Sequence, residues 1–189
     1  MPALERRAAG MHSGGMKMTA ALPLVLALLA AAPALAGPAI KSDHWDSASF
    51  VLTGEDGKTQ TVSALDLNSL PRASATITHE GKTYGFKGVL LADVLKRVNA
   101  PLGKDLKGPA LSDVVIVTAK DGYTVALALS DLEPSIRSAT VILADETAQT
   151  LPLGDKDGPF RLVVDGDLKP ARSARNVVSI EVRRLRASH

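Results

Sequence analysis

The sequence predicts an α+β fold, a single domain on a mixed, hairpin-rich β-sheet with a few short helices. Three observations carry that reading. Strand-like runs outnumber helical ones, they come in pairs around short Gly-containing turns, and only one stretch holds a clear helical period. Strands alternating with long helices, the mark of a doubly wound parallel sheet, are not seen, and no internal repeat is visible.

The elements follow in chain order. Ser49–Thr53 and Thr59–Ser63 are β-prone runs around Gly54-Glu55-Asp56-Gly57-Lys58 and predict a first hairpin. Residues 64–70 are too short to assign, and Pro71 closes them. Residues 73–78 and 83–86 flank Glu80-Gly81-Lys82 and predict a second hairpin. A helix is expected over 89–99, because Leu91, Val94, Leu95 and Val98 fall on one helical face, with Asp93, Lys96 and Arg97 on the other and Pro101 as a stop. Residues 113–119 and 123–129 surround Lys120-Asp121-Gly122, the strongest hairpin signal in the chain. The apolar character of these strands points to the sheet centre, so Gly122 is expected to tolerate a β-branched side chain less well than Gly57. Ser130 and Glu133 have capping-box spacing for a short helix that Pro134 limits. Residues 139–144, 160–164 and 177–183 complete the strands. In the last, Val178, Ile180 and Val182 alternate with Ser179, Glu181 and Arg183, which predicts one buried face.

The N-terminal part reads differently. Lys17 precedes an uncharged stretch, 19–36, that ends in Ala34-Leu35-Ala36, and a basic start, apolar core and small-x-small exit are the parts of a signal peptide. Its densest apolar part, 20–32, is short against the ~20 residues that a membrane span needs. The expected organisation is a signal peptide over 1–36, a linker over 37–48 and one domain over 49–186. Such a protein is periplasmic or secreted, with no stable membrane insertion after cleavage. Cleavage removes three of the 22 basic residues and one of the 20 acidic ones, leaving 19 of each. A neutral domain has no electrostatic reason to bind nucleic acid or an anionic membrane.

Cysteine is absent, which removes thiol nucleophiles, redox dithiols, iron–sulfur clusters and thiolate metal sites. His44 and His79 are the internal histidines of the mature chain, and neither has a second ligand at metal-binding spacing. Asp155-x-Asp157-Gly158 and Asp165-Gly166-Asp167 lack the distal Glu of a calcium loop and read as turns. Nucleophile-elbow, Walker and dinucleotide fingerprints are all missing.

Four stretches together resemble the sulfite-oxidase-type molybdopterin-binding domain. They are residues 86–95 (Phe-Lys-Gly-Val-Leu-Leu-Ala-Asp-Val-Leu), 119–123 around Asp121-Gly122-Tyr123, 143–145 with 154–164 around Gly158-Pro159-Phe160-Arg161-Leu162-Val163-Val164, and 172–182 from Arg172 into the last strand. Their order and spacing cover about 100 residues. The resemblance implies that fold and a pterin pocket. It also implies a cysteine ligand for molybdenum just before the Phe86-x-Gly88-Val89 motif. Here that segment is Ala75-Thr76-Ile77-Thr78-His79, and a neutral hydroxyl is a poor substitute for a thiolate. Arg6 and Arg7 lie well ahead of the apolar core without the flanking residues of a twin-arginine signal, so the leader reads as one for export unfolded and without cofactor.

The candidate cofactor-binding residues are Thr76, Thr78, His79, Tyr84, Tyr123, Arg172 and Arg175, with no catalytic or metal-binding residue assigned. Tyr84 and Tyr123 are expected either in the core with Phe86 and Phe160 or with their hydroxyls in a remnant pocket beside Thr76, Thr78 and His79. Arg172 and Arg175 correspond to the family's basic residues near the pterin phosphate, although a solvated turn explains them equally well. No cofactor is predicted, while molybdopterin stays possible through the resemblance. The first functional reading is a non-catalytic exported module for an unknown small ligand or envelope protein. A molybdopterin-dependent oxidoreductase with atypical metal ligation and a structural envelope-interaction module are the alternatives. N-terminal sequencing of the native protein should find Gly37 first; a retained 19–36 stretch would contradict the leader assignment.

Overall fold

The computed structural model describes Trp45 and residues 47–185. The leader, the linker apart from Trp45, Ser47 and Ala48, and Arg186 lie outside the described residues. The chain forms β1 (Ser49–Thr53), β2 (Thr59–Ser63), α1 (Ala64–Leu67), β3 (Arg72–His79), β4 (Lys82–Leu90) and α2 (Leu91–Leu95). Then come β5 (Asp113–Ala119), β6 (Thr124–Ala128), β7 (Val141–Thr147), β8 (Arg161–Val164) and β9 (Val177–Arg184), with short 3-10 turns between them.

The strands make two sheets, not one. The first has the order β2-β1-β9-β5-β6 and the second β3-β4-β7-β8. All pairings are antiparallel except β1 with β9, so the first sheet is mixed. In it the last strand lies between the first and third hairpins. β6 is thereby an edge strand, and the β5–β6 hairpin flanks the centre just as β1–β2 does. This corrects the expected central placement of the third hairpin. Gly57 and Gly122 have φ of 78° and 86°, and a Cβ at either would meet no atom within 4 Å.

One core cluster joins both sheets. It holds Phe50, Leu52, Val115, Val117, Ile180 and Val182 from the first sheet, Val89, Leu143, Leu162 and Val164 from the second, and Leu91, Val94 and Leu95 of α2. Phe50 meets Phe160 edge-on, with ring centroids 5.2 Å apart. A smaller cluster covers the other face of the second sheet: Ala75, Ile77, Phe86, Ile142, Ala144, Leu153 and Val163. Burial on both faces accounts for the apolar runs 141–144 of β7 and 162–164 of β8, whose residues are buried whichever face they point to.

The Phe86-Lys87-Gly88-Val89 segment links the two clusters. Phe86 enters the smaller and Val89 the larger, with a register shift between Lys87 and Gly88. A Cβ on Gly88 would lie 2.1 Å from the Leu143 carbonyl oxygen and 2.5 Å from Ala144 Cα. Only glycine lets the bulged β4 lie this close to the β7 backbone beside it.

Local expectations are corrected at four places. The helix begins at Leu91, not Val89, because β4 continues through Leu90. It tightens to a 3-10 turn over Lys96–Val98 and ends at Asn99 with φ 54°. Ser130 caps no helix. A 3-10 turn already occupies Leu129–Leu132, and the Glu133 carboxylate accepts the Gly103 N–H at 3.0 Å instead. Val178 is 39% exposed while Val177 is buried, because a bulge opposite Thr118 and Ala119 breaks the alternation of β9. Residues 64–67, left unassigned in sequence, form α1 with a capping box in which the Ser63 and Asp66 side chains bond each other's backbone N–H.

Two outcomes follow for stability. Gly88→Ala should lower it by about 3 kcal/mol or more through a backbone clash. Gly57→Val and Gly122→Val should cost a similar ~1–3 kcal/mol each through positive φ alone. Urea midpoints of the three variants check both.

Candidate functional site

The outer strands of the second sheet, β3 and β8, approach each other although β4 and β7 lie between them in hydrogen-bonding order. Thr76 Oγ1 donates across this gap to Asp165 Oδ1 at 2.9 Å. The sheet thus coils around the smaller cluster. Next to that cluster lies a recess of about 290 Å³, lined by Ile77 and Phe86 and by His79, Tyr84, Pro170, Asp157, Arg161 and Arg175.

Arg161 is the unusual residue of this recess. It opens β8, and two-residue alternation puts it on the same face as Val163, among apolar neighbours. Its side chain is only 7% exposed. The guanidinium carbon lies 4.7 Å from the centroid of the Phe86 ring, a cation–π contact. One terminal nitrogen donates to Asp157 Oδ1 at 2.6 Å, while Nε is buried without a hydrogen-bond partner. Burial lowers its pKa from the ordinary guanidinium value, Asp157 opposes the drop and the Arg175 charge adds to it. An arginine nonetheless stays protonated in a protein. Arg175 Nε lies 3.1 Å from the same Asp157 oxygen, so one carboxylate serves two cations.

Arg175 and Pro170 also border a wider, more open recess of about 780 Å³. Its other polar residues include Lys120, Asp121, Tyr123, Asp155, Lys156 and Asn176.

The residues singled out in sequence divide among three recesses and one ion network. His79 and Tyr84 line the small recess, Tyr123 the wide one, and Arg175 both. His79 Nε2 lies 3.8 Å from the Glu80 carboxylate, and the Tyr123 hydroxyl donates to the Ala171 carbonyl at 2.6 Å. Both tyrosines are half-exposed, so neither belongs to the core, unlike Phe86 and Phe160. Thr76 and Thr78 border a separate recess with Asp165 and Asp167. The expectation of Thr76 and Thr78 beside Tyr84 and His79 is corrected by the pleat of β3: successive residues point to opposite faces.

Arg172 is already engaged. Its Nε and one terminal nitrogen donate to Asp167 at 2.9 and 2.6 Å, and the other terminal nitrogen donates to Asp131 at 3.1 Å. The hydrogen bond to Asp167 is the main cause of its raised pKa. Asp131 and Asp167 also lie 3.6 Å from Arg137, which makes this a closed ion network. Sequence reading missed Arg161 and Asp157. The signal was present, since Arg161 is a charge inside the apolar run Phe160-Arg161-Leu162-Val163-Val164.

The residues do not fit a molybdenum–dithiolene centre. The sequence has no cysteine, and the hydroxyls at the corresponding segment are bonded to Asp165 and Thr83. Among the described residues no group of three or more His, Cys, Asp or Glu side chains is placed to hold a metal ion.

No family model matches the sequence, and no curated protein matches it. Among solved structures it is similar to the sulfane dehydrogenase SoxCD from Paracoccus pantotrophus, with a TM-score of 0.56 and 16% sequence identity. The match covers 77% of this chain and 40% of that one, so this chain spans less than half of that protein's length. The likeness is one of fold, a distant sulfite-oxidase-like architecture, in agreement with the motifs read from the sequence.

Arg161 is poorly suited to a purely structural role. A desolvated guanidinium with an unsatisfied N–H contributes little net stability, so Arg161→Met should keep the unfolding free energy within about 1 kcal/mol of wild type. Asp157→Ala should cost about 3 kcal/mol, because it strips a buried charge of its partner. Equilibrium denaturation of both variants measures the contrast.

Proposed function

We propose that this chain is an exported, non-catalytic domain of the sulfite-oxidase-type fold that binds a small ligand in the cell envelope. The observation that carries the reading is a contrast between what is present and what is missing. A cationic recess with a buried guanidinium lies beside the second sheet, while the segment corresponding to the family's metal ligand offers engaged threonine hydroxyls and His79 in place of a thiolate. A recess without a thiolate supports binding better than molybdenum redox chemistry. Export rests on the composition of the leader, residues 1–36.

The pterin phosphate gains little support from Arg172, since Asp167 and Asp131 already take its donors. Arg175, 58% exposed, is the more available cation of the pair. The test is a composition measurement on protein made in a host that synthesises molybdopterin. Metal analysis should find no stoichiometric molybdenum, and a separate pterin assay should find no stoichiometric pterin. One molybdenum per chain would overturn the reading in favour of an oxidoreductase with atypical ligation.

A further inference from the structure

The small recess carries an unbalanced charge. Among the described residues that border it, Asp157 is the one carboxylate, against the guanidiniums of Arg161 and Arg175. Both reach the same oxygen, Asp157 Oδ1, at 2.6 and 3.1 Å. Among the described residues of the recess the guanidiniums outnumber the carboxylates by one, and the more deeply buried guanidinium keeps an Nε–H with no acceptor there. Two guanidiniums that share one carboxylate favour a further anion beside them, because charge-assisted hydrogen bonds strengthen where water is excluded.

The rest of the lining restricts which anion fits. Ile77 and Phe86 are buried apolar surface, Pro170 adds a flat aliphatic wall, and Tyr84 contributes a half-exposed ring. A volume of about 290 Å³ is at the small end of ligand pockets. A fully hydrated inorganic anion would leave that apolar surface uncovered. A planar ring bearing one carboxylate fits within the recess, covers its apolar wall and supplies a negative charge for the guanidiniums.

We propose that the recess bordered by Arg161, Arg175, Phe86 and Tyr84 binds a small aromatic monocarboxylate, with its carboxylate on the guanidiniums and its ring against the apolar wall. The proposal rests on the ligand-binding reading above and names the class of ligand for that site. No covalent step is involved.

Benzoate is the probe, titrated by calorimetry into the full mature chain after molybdenum and pterin have been assayed. Saturable binding with Kd on the order of a millimolar or tighter is expected for one charged group and one ring. Arg175→Ala, at an exposed position that leaves the core intact, should weaken it about tenfold. Asp157→Asn keeps an oxygen acceptor for Arg161 but removes the competing charge, so it should bind benzoate more tightly than wild type. A gain of affinity is not a symptom of misfolding, which keeps the test decisive if another variant folds poorly. Inorganic phosphate should not compete. The proposal is overturned by the absence of saturable binding, by phosphate binding as well as benzoate, or by affinities that ignore both substitutions. Molybdenum in the purified chain would instead defeat the underlying functional reading, whatever benzoate does.

Discussion

One carboxylate shared between two guanidiniums organises the site. Asp157 holds Arg161 from the inside and Arg175 from the outside through the same oxygen. Without it Arg161 would be a desolvated cation among apolar residues, a situation that costs several kcal/mol. With it the charge is tolerable but not neutralised. That imbalance turns a piece of sheet packing into a candidate binding site.

The sheet makes the imbalance possible. Because β8 is buried on both faces, a residue at its start must enter one of two cores, and alternation sends Arg161 into the smaller. The Phe86 ring lies under its guanidinium, just before the point where Gly88 lets β4 bulge against the backbone of its antiparallel neighbour β7. The approach of β3 to β8 brings Ile77 to the same recess, and Tyr84 follows as its cross-strand partner on β4. The motif Phe86-Lys87-Gly88-Val89 therefore has a physical meaning apart from any family: one aromatic for the small core, one glycine for the bulge and one valine for the large core.

Much of the architecture was legible because it depends on local rules. The three hairpins follow from turn residues between β-prone runs, and their strands lie within a few residues of expectation. The split into two sheets was not legible, since it depends on β9 returning to pair with β1 and β5 across the length of the chain. The same distance dependence hid the site. His79, Tyr84 and Arg175 were found as residue types near motifs, but the face of β3 on which Thr76 and Thr78 sit follows only from a fixed register. Arg172 and Arg175 look alike in sequence. Only the positions of Asp131, Asp167 and Asp157 separate an arginine locked in an ion network from one that borders a recess.

Arg161 is a buried cation at the border of a recess, not a packing residue. Nitrogen-15 NMR of its Nε–H, assigned through loss of the signal in Arg161→Met, tests this most directly. The account predicts a solvent-protected resonance that moves on addition of benzoate and stays in place on addition of an uncharged aromatic amide of the same size. A rapidly exchanging Nε–H, or one that ignores the carboxylate, would contradict it.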